Sequence, residues 1–86
     1  MFIQDQSRKV LFNMKFYTLK NMGSIIQIFD SGGTFVGEIG EYENPQLAEM
    51  LVEEAREIMQ IAAMNRSYCI YEFPTNEEIR QVMENG

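Results

Sequence analysis

Eighty-six residues carry 13 acidic and 7 basic side chains, a formal net charge of −6. That balance argues against direct nucleic-acid binding, which rests on clustered Lys and Arg. A 45% hydrophobic and 12% aromatic content excludes a disordered chain, and the length allows one domain close to the smallest that buries a core alone.

The first apolar stretch, residues 2–6, predicts a strand with Phe2 and Gln4 on one side and Ile3 and Asp5 on the other. Ser7, Arg8 and Lys9 form a polar break. Residues 10–17 then predict a second strand, with Val10, Phe12, Met14 and Phe16 alternating onto one face. Asn21, Met22 and Gly23 supply turn chemistry, because Asn and Gly tolerate positive φ. A third strand is expected over 24–29, a hairpin turn over Asp30, Ser31, Gly32 and Gly33, and a fourth strand over 34–39, with Gly37 marking a bulge or close backbone packing.

Residues 44–65 hold the long helical pattern. Asn44 can cap the first turn, Pro45 suits the first helical position, and no Gly or Pro interrupts Leu47 to Met64. Leu47, Leu51, Ala55, Ile58 and Ala62 form the central stripe, widened by Ala48, Val52, Met59 and Ala63 on one flank and by Met50 and Ile61 on the other. The apolar arc reaches roughly 200°, twice the width of an ordinary surface helix. A stripe so wide needs a second surface, so Met50, Val52, Met59, Ile61 and Ala63 are the expected interface residues. A fifth strand follows over 68–73, ended by Pro74. Thr75 and Glu78 have capping-box spacing, predicting a short helix over 77–83 with Ile79, Val82 and Met83 inward. The expected architecture is a single α+β domain over residues 1–86. It comprises an antiparallel meander of four to five strands, one long helix packed across it, and a short C-terminal helix.

Three strings resemble a set of small uncharacterised proteins of Firmicutes bacteria and their phages: the opening MFIQDQSRKVLFN, the central GEIGEY and the closing YEFP. Phe2, Gln6, Arg8, Leu11, Phe12 and Asn13 carry the first part, and Gly40, Tyr42, Tyr71, Glu72 and Pro74 the rest. Ile39-Gly40-Glu41-Tyr42 only approximates the central string. The resemblance implies a strand-rich start, a helix and a final strand, together with a phage or mobile-element setting. It implies no activity.

The residue chemistry points away from an enzyme. With no His and a single Cys, the commonest general base and the usual tetrahedral zinc sets are both missing, and no phosphate-binding Gly-rich loop occurs. No catalytic residue, metal or cofactor is expected. Glu49, Glu53 and Glu57 form a ridge read as a solvated helix face, and Cys69 is read as a packing residue. No internal disulfide can form, which fits a reducing cytoplasm. No apolar run approaches a membrane span and no signal peptide is expected at the start.

Binding features are richer. Tyr17, Tyr42, Tyr68 and Tyr71 offer aromatic surface with a polar tip, and Arg8, Lys9, Lys15 and Arg66 could hold a phosphate if brought together. Arg8, Lys9, Tyr17, Arg66 and Tyr71 are the expected contacts for a small anionic ligand. Three roles follow. The first is a binding protein that forms a homo-oligomer (dimer or higher) through its helix and inhibits or sequesters a host factor through protein–protein contact. The second is a homo-oligomeric sponge for a small anion such as a nucleotide signal, and the third an acidic nucleic-acid mimic.

Overall fold

The computed structural model describes residues 1–65 and 69–85. Among these the elements run β1 (Phe2–Gln4), β2 (Leu11–Asn13), β3 (Tyr17–Met22), β4 (Ile25–Asp30), β5 (Phe35–Glu41), α1 (Pro45–Met64), β6 (Ile70–Glu72) and α2 (Asn76–Asn85). The class is α+β, but the strands do not make one meander. They form two three-stranded sheets, β3-β4-β5 and β2-β1-β6. The first is antiparallel throughout; in the second, β1 runs antiparallel to β2 and parallel to β6.

The division arises within residues 10–17, where one strand was expected. Asn13 accepts the Lys15 amide on its side chain (3.1 Å) and the Phe16 amide on its carbonyl (3.1 Å), while Met14 donates to the Met1 carbonyl (2.9 Å). This side-chain-mediated turn bends the chain from β2 into β3. Phe12 and Met14 pack on the core, but Val10 and Phe16 are 44% and 54% exposed. The alternation spans a corner, not a strand. β3 then continues through Met22, so the turn is Gly23–Ser24, with positive φ at Gly23 alone (61°), the pattern of a two-residue type II′ hairpin.

The second hairpin follows the sequence closely. The Asp30 carboxylate accepts the amides of Gly32 and Thr34, both at 2.9 Å, and Gly33 supplies the left-handed residue at φ 85°. Between β4 and β5 the register shifts twice, once beside Gly37. Such bulges add twist.

α1 begins and ends where its end residues dictate. Asn44 Oδ1 accepts the Leu47 amide (2.8 Å), Pro45 opens the helix, and the Asn65 amide closes on the Ile61 carbonyl (3.1 Å). Ala48, Leu51, Val52, Ala55 and Ala62 are buried, and the helix lies against β3 and β4. The small side chains let its backbone approach the sheet. Ile3, Ile26, Ile28, Ile39, Val52 and Phe73, each 2% exposed or less, fill the centre.

Gln6 joins the two sheets. Its backbone amide donates to Ile39 (2.8 Å), and its side chain behaves like one more strand residue. Oε1 accepts the Glu41 amide (3.0 Å), and Nε2 donates to the carbonyls of Glu41 (3.1 Å) and Pro74 (3.3 Å). Gly40 makes room for this. A Cβ there would lie 3.2 Å from both Gln6 Cβ and the Tyr42 ring. Tyr42 completes the junction by donating its hydroxyl to Pro74 (2.8 Å).

Candidate functional site

α2 begins at the predicted cap, with the Glu78 amide donating to Thr75 Oγ1 (3.1 Å). Ile79 reaches the core, but Val82 and Met83 do not turn inward as the pattern suggests. They are 72% and 75% exposed. Ile79 is the residue of α2 that packs on the core, and the helix beyond it stands at the surface. Between the two helices lies an open groove of about 690 Å³. Leu47, Met50 and Leu51 of α1 form one wall, Ile79, Val82 and Met83 of α2 the other, and Tyr71 and Pro74 the floor. Glu54, Glu72 and Glu78 are its charged lining.

One loop holds the rim in place. Residues 5–10 fold around the buried Asp5 carboxylate, which accepts Ser7 Oγ (2.6 Å) and the amides of Lys9 (3.0 Å) and Val10 (3.1 Å). Burial alone would raise the Asp5 pKa, but the hydrogen bonds outweigh it and hold the carboxyl below its usual 3.8. The loop forces Arg8 to φ 63°, uncommon outside Gly and Asn. In that conformation its guanidinium bridges Glu72 (2.6 Å) and Glu78 (2.9 Å). Arg80 pairs with Glu43 (3.0 Å) and ties α2 to the chain just before α1. These pairs are exposed, worth about 0–1 kcal/mol each, so they orient α2 more than they bind it.

Tyr71 lies under the groove with its hydroxyl donated to Glu54 Oε1 (3.2 Å) and its ring edge-on to Phe73 (5.0 Å between centroids). Burial, then the Glu54 carboxylate, pushes its pKa far above the usual 10.0; burial does the same for Tyr42.

The expected interface residues separate. Met50 (56% exposed) lines the groove, and Ile61 (58% exposed) shares its flank of α1. Val52, 1% exposed, belongs to the chain's own core and offers no surface, because that flank turns toward β3 and β4. Met59 is half-buried against the same core, and Ala63 is exposed. On this flank Arg56 donates to the Leu19 carbonyl (3.1 Å).

The expected anion contacts do not form an anion site. Arg8 is engaged by two carboxylates, and the Tyr71 hydroxyl faces a third. Tyr17 packs edge-on against Phe12 at 5.3 Å, and Lys9 is exposed. Arg66 and Tyr68 lie outside the described residues. Glu49, Glu53 and Glu57 are exposed, and among the described residues no group of three His, Cys, Asp or Glu side chains is placed to hold a metal ion. No helix among them is long and apolar enough to cross a membrane.

Sequence reasoning missed Leu47, Glu54, Glu72 and Glu78 as groove residues. The available signal was the second amphipathic helix: its apolar face, added to the overly wide stripe of α1, leaves more apolar surface than one small sheet can cover. No family model matches this chain, and no curated protein or solved structure is significantly similar to it.

Proposed function

We propose that this chain is a small non-enzymatic binding protein that captures a protein partner in the groove between α1 and α2. One observation carries the reading. Met50, Val82 and Met83 present large apolar side chains to solvent across an open groove whose floor is already well packed. Apolar surface gathered in a concavity marks interaction sites far more often than scattered exposed residues do. Methionine walls adapt to an incoming surface at little conformational cost.

With the phage-like resemblance, the reading takes a concrete form. The chain is an accessory protein of a phage or mobile element, working in the cytoplasm, that inhibits or sequesters a host factor without chemical turnover. Its carboxylates without a histidine and its apolar groove both suit occupancy rather than catalysis.

The test is retention of host proteins by immobilised wild-type chain and by a Met50→Lys, Val82→Lys variant of matched melting temperature. Wild type should retain a discrete host protein that the variant loses. Identical retention by both would refute the groove as the binding site. Glu→Gln changes at Glu49, Glu53 and Glu57 should leave the biological effect intact; its loss in a folded variant would overturn the non-enzymatic assignment.

A further inference from the structure

We propose that the occupant of the groove is a cationic amphipathic helix of a second protein, lying between α1 and α2 as a third helix. This rests on the binding-protein reading above and names its partner's chemistry. Length is the first support. The ten residues of α2 make a wall of about 15 Å, and helix anchors at i, i+3 or i+4, and i+7 span about 10.5 Å.

Hydrogen bonding is the second. The polar side chains of the lining are Glu54, Glu72 and Glu78 together with the Tyr71 hydroxyl, which is already bonded to Glu54. Carboxylates accept and do not donate. The lining side chains therefore offer no free donor to the carbonyl groups of an extended segment, whereas a helix satisfies its own backbone.

Charge decides between a foreign helix and a second copy. α1 and α2 hold seven glutamates against two arginines. The neighbouring cations are committed, Arg80 to Glu43 and Arg8 to Glu72 and Glu78. A second copy docking here would set one acidic surplus against another, while Lys or Arg flanking the apolar anchors of a foreign helix would relieve it.

The experiment uses the full chain and a fluorescent synthetic helix of about five turns, with Leu at i, i+3, i+4 and i+7 and Lys elsewhere. A twin peptide carries Glu in place of Lys. Anisotropy should show the Lys peptide binding at least about tenfold tighter than its twin, with affinity falling as salt shortens the Debye length from about 10 Å to about 3 Å. Met50→Gln and Val82→Gln, which leave the charge unchanged, should each weaken binding about tenfold without shifting the melting temperature, separating groove contact from simple attraction to an acidic surface.

Equal affinity of the two peptides, or indifference to both Gln variants, would overturn the proposal. So would failure of both peptides with a concentration-dependent dimer in sedimentation that Met50→Gln dissociates, which identifies a second copy as the occupant. Failure of both peptides while host-protein retention still depends on Met50 and Val82 would overturn the cationic helix and spare the binding-protein reading. Retention that ignores both residues would end that reading itself.

Discussion

Replacing Asp5 tests how the loop over residues 5–10 supports the groove. In Asp5→Ala, three hydrogen bonds to one carboxylate are lost, from Ser7 Oγ and from the amides of Lys9 and Val10. Bonds to a charged acceptor are worth about 1.5–3 kcal/mol each. The donors here belong to exposed residues and can turn to water, so about 1 kcal/mol each is appropriate, or roughly 3 kcal/mol together. For a domain of this size that lowers the melting temperature by about 12–24 °C.

Asp5→Asn keeps an acceptor at the Oδ1 position, which takes both backbone amides. Its amide nitrogen replaces Oδ2 and reverses the bond with Ser7 Oγ, so the main loss is the charge assistance, about 1 kcal/mol. The pH dependence separates the two effects. The Asp5 pKa in the folded chain lies below its usual 3.8. Its stabilisation is therefore fully present above that value and is lost as pH falls through the folded pKa.

Denaturant melts of wild type and Asp5→Asn should differ at neutral pH and converge in strong acid. Released from the loop, Arg8 should also let go of Glu72 and Glu78, so α2 amides in Asp5→Ala should exchange hydrogen faster than those of α1. A cost of Asp5→Ala below about 0.5 kcal/mol, or a wild-type to Asn difference unchanged across the acid range, would refute this account.

Tyr42 and Tyr71 are held neutral by burial, with folded pKa values raised above the usual 10.0. Their contribution is complete below pH 10 and disappears as pH rises beyond it. Absorbance at the phenolate band should show both titrating together with loss of circular dichroism, not before it. Gly40→Ala puts a methyl group 3.2 Å from Gln6 Cβ and the Tyr42 ring and should cost about 1–3 kcal/mol in chemical denaturation. Asn44→Ala removes the cap on the Leu47 amide and should cost about 1 kcal/mol. Phe73→Ala empties a fully buried site and should cost about 3–5 kcal/mol.

Local chemistry alone determined the parts whose partners lie a few residues away. Asn44, Pro45 and Asn65 delimit α1, Asp30 to Gly33 make a hairpin, and Thr75 caps α2, because each of these bonds closes within one turn of chain. The strand pattern failed at residues 10–17 because Asn13 turns the backbone with its own side chain, which alternation cannot register. β3 went unread beyond Tyr17 since Leu19 is its one buried residue. The parallel pairing of β1 with β6, the clasp of Gln6 on Glu41 and the bridge from Arg8 to Glu72 and Glu78 join residues 35 to 70 positions apart, and no local pattern encodes such distances. The candidate site divides the same way. Composition showed that α1 carries more apolar surface than one sheet needs. Only the tertiary structure chose the free flank, sinking Val52 in the core and leaving Met50 and Ile61 outside, because the strands that α1 lies against, β3 and β4, are distant in sequence.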